Sequence, residues 1–277
     1  MANGQSVKLY LDLLKKTLTF TLWPEPPLPV EIFSYKYPVP TRIFFKILSA
    51  LCRVGKMRLV KDRRFASGER EQGRVWPGYA DTMIGLARLD NIQECAETVI
   101  KENVPGDLIE TGVWRGGACI FMRAVLAAYG IVGRKVYVCD SFEGLPKPDE
   151  EKYPADKGDT HHVHQFIAVS QEEVEHNFRK YGLLDEQVVF LKGWFKDTLP
   201  AAPIEKIALM RLDGDMYSST IDALQNLYPK LSPGGFCIID DYALKGCKQA
   251  VDDYRRDHGI AAPIRTVDWT GVYWRKE

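Results

Sequence analysis

From residue 107 onward, short apolar runs of strand length alternate with longer amphipathic segments, and nothing else in the chain restricts the fold as much. The spacing predicts strands at 107–112, 135–140, 187–192, 206–213 and 235–240. It predicts helices at 116–129, 171–181, 218–231 and 245–258. Alternation of this kind implies a parallel sheet with helices on both faces. The end departs from the pattern: residues 263–274 hold two strand-like runs about a tight glycine-containing turn, so the last pair is expected to be antiparallel. The expected fold class is α/β, a mostly parallel seven-stranded sheet finished by a C-terminal antiparallel hairpin.

The first third reads differently. Residues 6–20 carry Leu9, Leu11, Leu13, Leu14, Leu18 and Phe20 at helical spacing. A proline-rich stretch, Trp23 to Pro29, cannot be helix interior. Residues 41–61 form a second helical pattern rich in Arg and Lys, and the basic run continues to Arg64. A basic amphipathic helix can lie on a membrane surface, but packing on the core or on a partner subunit is the expectation for this one. A long helix then opens near Asp81 and runs to about Lys101. The chain is therefore divided into a helical extension, 1–80, serving oligomer contacts or a lid, and a main domain, 81–277.

Charge excludes some functions. Lys+Arg and Asp+Glu are both 37 in 277 residues, so no whole-protein field exists to hold nucleic acid or an anionic membrane. Zero net charge, together with the large stripe on 6–20, favours self-association, and a homo-oligomer is expected. The six cysteines include no CxxC pair and read as buried thiols of a reducing compartment. The first twenty residues mix charge into their apolar pattern, and no apolar run reaches the roughly 18 residues of a membrane span. A cytoplasmic location is expected.

Two aspartate pairs carry the strongest chemical signal. Asp213 and Asp215 end one predicted strand, and Asp240 and Asp241 end the next. Adjacent parallel strands deliver these ends to one sheet edge, where open α/β sheets bind ligands. Carboxylates gathered there repel unless a cation joins them, and oxygen-only donors suit Mg²⁺. Asp213, Asp240 and Asp241 are the expected metal ligands. Asp215 reads either as a ligand or as a base toward a bound hydroxyl.

A glycine-rich turn, Glu110 to Gly117, offers a second site on the same edge. Gly112, Val113 and Trp114 of this turn are expected at the cofactor, Gly112 because it lets backbone approach a ligand. Val113 and Trp114 crowd the place where a dinucleotide fingerprint needs glycine, which disfavours a nicotinamide oxidoreductase. Glu110 suits the amino group of a methionine moiety. Asp140, at the next strand end, suits ribose hydroxyls. Trp194 and Phe195 follow the third strand and suit an adenine. The loop between Asp140 and Ser170 holds Pro146, Pro148, Pro154, Gly158 and His161, His162 and His164. A loop this long is functional or disordered, and the role of its histidines stays open, as does that of residues 30–75. Ser170 to Glu173 reads as a capping box.

Taken together these residues resemble the macrocin O-methyltransferase family, sugar O-methyltransferases of antibiotic tailoring. The resemblance is strongest in Tyr10 to Thr17, Thr82 to Gly85, Val104 to Met122, Asp140 to Pro146, Arg211 to Thr220 and Asp240 to Tyr242. It implies a Rossmann-like class I methyltransferase using S-adenosyl-L-methionine and Mg²⁺, with a small-molecule sugar or glycoside as acceptor. It also implies Asp213, Asp240 and Asp241 on the metal and Asp215 as base. Glu110, Asp140 and Ser141 would hold the cofactor, and Thr82 and Met83 would close over it. A catechol-like phenol as acceptor, and a non-catalytic cofactor-binding protein, are the competing expectations.

Overall fold

The computed structural model describes residues 4–31, 37–62, 65–66 and 68–277; Arg63 and Arg64, the end of the basic run, lie outside the described residues. Two short strands, β1 (Leu28–Pro29) and β2 (Val60–Lys61), pair antiparallel in the extension. The main sheet has seven strands: β3 (Asp107–Thr111), β4 (Val136–Asp140), β5 (Val188–Lys192), β6 (Ile207–Leu212), β7 (Leu231–Ile239), β8 (Arg265–Thr266) and β9 (Val272–Arg275). Their order is β5-β4-β3-β6-β7-β9-β8, with β8 and β9 antiparallel and the other five parallel, as expected. Chain order reverses between β3 and β6, which opens a crevice at their C-terminal ends.

The helices are α1 (Gly4–Leu18), α2 (Val39–Val54), α3 (Leu86–Lys101), α4 (Gly117–Ala128), α5 (Gln171–Lys180), the single turn α6 (Phe195–Thr198), α7 (Tyr217–Leu227) and α8 (Lys245–Asp257). Helix α4 is apolar almost all round and is buried over ten of its residues. A helix apolar on every side must be covered on every side. The sheet covers one side of α4, and α1 and α3 cover more of it. Leu11, Leu14 and Leu18 of α1 accordingly join the same core cluster as Phe121 of α4. The apolar stripe of 6–20 is thus buried largely within its own chain, while Leu9 and Leu13 stay exposed.

Four boundaries differ from the sequence reading. Helix α3 begins at Leu86, after Gly85 in extended backbone, instead of near Asp81. Helix α2 stops at Val54, before Gly55, instead of running to 61. Its residues Ile43, Ile47, Leu51 and Val54 point to solvent, and Ser49 is its only buried residue among those described. Helix α7 ends at Leu227, because Pro229 and a 3₁₀ turn at Tyr228–Lys230 stop it. Strand β7 then begins at Leu231 rather than 235, since Leu231 pairs with Ile207 across a register shift. Among the described residues no helix is long and apolar enough to cross a membrane, and all six cysteines are free thiols, five of them buried.

Candidate active site

Parallel pairing decides which residues meet. Thr111 lies beside Leu212, and Leu212 beside Ile239. The residues that follow, Gly112, Asp213 and Asp240, therefore leave the sheet side by side. Asp213 N–H donates to Thr111 O, and Asp240 N–H to Leu212 O, both at 2.9 Å. Gly112 has φ +81°, and a Cβ there would sit 1.7 Å from the Asp213 carbonyl oxygen, so only glycine fits. Asp215 has φ +55°, a left-handed conformation that aspartate tolerates better than most residues. Its N–H donates to Asp241 Oδ2 at 3.1 Å.

The four aspartates divide into two kinds. Carboxylate oxygens of Asp213, Asp215 and Asp241 all lie within 4.8 Å of one another, each side chain half-buried. Burial, and then repulsion from Asp213, pushes Asp215 up to about 7. Burial and the neighbouring Asp213 and Asp215 push Asp241 well above the carboxylate range. Three hard oxygen donors that hinder each other's ionisation are the donor set a divalent cation relieves, and these residues fit one. Asp240 is different. Burial works against its charge, but the guanidiniums of Arg211 and Arg88 hold its carboxyl below the usual range. Both of its oxygens are taken by these two arginines. Of the expected metal ligands, then, Asp213 and Asp241 come together, with Asp215 as their third neighbour, while Asp240 is engaged elsewhere.

The second part of the site is a cavity beside the aspartates. Among the expected residues, Met83, Gly112, Trp114, Asp140, Ser141, Trp194, Phe195, Asp213 and Asp215 line it. Asp140 accepts from Val113 N–H at 2.7 Å and from Phe142 N–H at 2.8 Å, which fixes its carboxylate at the cavity wall. Trp114, Trp194 and Phe195 give apolar walls, and Asp140 and Ser141 give polar ones. That mixture fits a nucleoside with a charged tail. Val113 contributes its backbone rather than a lining side chain. Thr82 is buried, and a Cβ on Gly117 would meet Thr82 Cβ at 2.6 Å, so it braces the turn instead of lining the cavity.

Glu110 does not line the cavity. Its carboxylate is 2% exposed; one oxygen takes Arg211 and the other accepts from Cys119 Sγ at 2.8 Å. Burial pushes it up to about 7, against the opposing pull of Arg211. The ammonium of a methionine moiety would have to displace these partners, so the role expected of Glu110 is filled by an internal ion pair. The signal missed was Arg211 itself, a lone arginine in the fully buried run Ile207–Leu212. A charge there demands carboxylates on neighbouring strands.

The long loop proves to be structured. It contains 3₁₀ turns at Pro154–Asp156, His161–Val163 and Gln165–Ile167. Met216, just before α7, supplies no side-chain cap. Asp156, 4% exposed, takes that part from a distance, accepting from Tyr217 N–H at 2.6 Å and Ser218 N–H at 3.0 Å. At its far end Trp114 Nε1 donates to Phe166 O at 3.1 Å, and Trp76 stacks on Phe166. Between these anchors His161 Nδ1 lies 2.7 Å from Asp159 Oδ2. Nothing in the local sequence marks Asp156 as a helix cap, because its helix begins sixty residues on.

Comparisons with known proteins show which family the chain resembles. The profile of the macrocin-O-methyltransferase (TylF) family matches residues 7–276. The chain is 49% identical over 268 residues to an 8-demethyl-8-(2,3-dimethoxy-alpha-L-rhamnosyl)-tetracenomycin-C 4'-O-methyltransferase of Streptomyces olivaceus, covering 96% of this chain and 92% of the relative. It is 49% identical over 270 residues to the demethyldecarbamoylnovobiocin O-methyltransferase of Streptomyces niveus, covering 97% and 93%. The solved structure of the O-methyltransferase NovP matches with a TM-score of 0.83 at 47% identity, over 98% of this chain and 99% of that one.

Proposed function

The chain belongs to the macrocin O-methyltransferase family, and from that premise we propose that it methylates a sugar hydroxyl of a glycosylated natural product, using S-adenosyl-L-methionine and a divalent cation such as Mg²⁺. The observation that carries the reading is the meeting of Asp213, Asp215 and Asp241 beside a cavity that also holds Asp140 and the Gly112 turn. Met83, Trp114, Asp140, Ser141, Trp194 and Phe195 hold the cofactor. Asp213 and Asp241 hold the cation. When bound, the cofactor supplies an electrophilic methyl group and the cation makes a nearby hydroxyl more acidic. Asp215 takes the hydroxyl proton, and the walls of the cavity align the acceptor oxygen with the methyl carbon. The N-terminal extension, 1–80, contributes to acceptor access and to contacts between copies of the chain. The exposed stripe on α2 supports a homo-oligomer, since contiguous apolar faces of this kind mark interaction surfaces.

The test is methyl transfer from labelled S-adenosylmethionine to a panel of deoxysugar glycosides, nucleotide sugars and catechols, with Mg²⁺ or with a chelator. Transfer to glycosides that depends on Mg²⁺ supports the reading. Preferential transfer to catechols would replace the acceptor class, and cofactor binding without transfer to any acceptor would sink the enzyme reading.

A further inference from the structure

We propose that the exposed indoles of Trp76 and Trp269 form an acceptor subsite that holds a flat aromatic aglycone while its sugar reaches the aspartates. The inference rests on the glycoside reading of the acceptor and narrows it. Both rings are fixed to strand ends that carry the site. Trp269 precedes Thr270, whose Oγ1 donates to Asp240 O at 3.0 Å. Arg88, which pairs with the Asp240 carboxylate, holds its guanidinium 5.8 Å from the Trp269 ring. Trp76 stacks on Phe166 with ring centroids 5.9 Å apart, and Phe166 packs on Trp114, which lines the cavity. Trp269 Nε1 donates to Gln72 O at 3.0 Å, so the short segment 72–76 runs from beside the end of β7 to beside the turn after β3. Those two ends flank the end of β6, where Asp213 lies. The segment therefore borders the aspartates on one side. The long loop, pinned by Asp156 to the start of α7, borders them on the other.

Exposure points to a ligand. Phe166 and His164 cover only part of Trp76, which stays 36% exposed, and Trp269 is 47% exposed. Arg74, itself exposed, lies 5.4 Å from the Trp269 ring. Indole rings and a guanidinium plane favour a π-system over a saturated group, because stacked and edge-to-face contacts add to the burial of apolar area. Contacts to this non-reacting part of the acceptor then help hold the sugar hydroxyl in place.

The test presents one deoxysugar that the full chain methylates as its phenyl, cyclohexyl and methyl glycosides, with S-adenosylmethionine and Mg²⁺. The phenyl glycoside is expected to have an acceptor KM about tenfold below the other two. Trp76→Ala and Trp269→Ala each raise that KM toward the value for the methyl glycoside. Trp76→Phe keeps most of the preference, and an unmoved KM for the cofactor shows that the variants fold. Equal KM for phenyl and methyl glycosides, or a preference that survives both alanine variants, would overturn the subsite. So would an equal gain for cyclohexyl and phenyl, since any apolar surface serves both. An alanine variant that raises cofactor KM as much as acceptor KM overturns it too, because the ring then braces the site instead of meeting the acceptor. Failure of the underlying reading looks different: no glycoside of any sugar is methylated, whereas a catechol is.

Discussion

Arg211 lies directly beside Glu110 across the β3–β6 pairing, and its guanidinium joins the Glu110 carboxylate to those of Asp213 and Asp240. One buried cation thus ties the strand that leads into the Gly112 turn to the two strands that end in aspartates. Arg88 of α3 extends the network from Asp240 to Asp268, in the turn before β9. Breaking a buried pair leaves uncompensated charge, which costs about 3–5 kcal/mol. Arg88→Met is therefore expected to lower the urea midpoint by that much stability while α/β circular dichroism is retained. A midpoint equal to the unaltered protein would show that the network is dispensable.

Asp215→Asn is expected to keep near-native cofactor and metal binding and to lose turnover on the order of 10²-fold or more. Calorimetry measures the binding and labelled methyl transfer the rate. If excess Mg²⁺ restores activity, Asp215 is a ligand and the carboxylate cluster acts only as a cation site.

Asp213 and Asp241 belong to the carboxylate cluster, whereas Asp140, Ser141 and Trp194 line the adjoining cavity without belonging to that cluster. Chelator-treated protein should therefore still bind S-adenosylmethionine, whereas methyl transfer stops. Full turnover after chelation would remove the cation from the mechanism. Asp241→Asn should weaken Mg²⁺ far more than it weakens the cofactor, because it removes a charged oxygen donor.

Asp156→Ala removes the cap that joins the long loop to α7. Loss of a cap costs about 1 kcal/mol. Limited proteolysis should then cut within 145–169 faster than in the unaltered protein, with acceptor KM raised and cofactor affinity little changed. Unchanged cleavage would mean that the Phe166 anchor suffices alone.

Light scattering at micromolar concentration should report a mass above that of one chain. Ile47→Glu with Leu51→Glu, on the exposed face of α2, should shift it toward the single-chain mass. A monomer with α2 intact would overturn the oligomer, and binding to anionic vesicles in a flotation assay would assign the face to a membrane instead.

The order of elements was legible in the sequence, because strand length, helical spacing and turn residues are local properties. So was the edge at which the aspartates gather, since parallel strands share their direction. The family resemblance rested on the same contiguous motifs. Which carboxylate does what was not legible. Asp240 and Asp241 are neighbours in the chain, yet one faces Arg88 and Arg211 and the other faces Asp213 and Asp215. Glu110 reads as a ligand until its strand neighbour proves to be an arginine, and Asp156 reads as a loop residue until it caps a helix sixty residues away. The charge state and contacts of a buried carboxylate depend on what packs against it, and those partners come from distant segments that only the tertiary fold brings together.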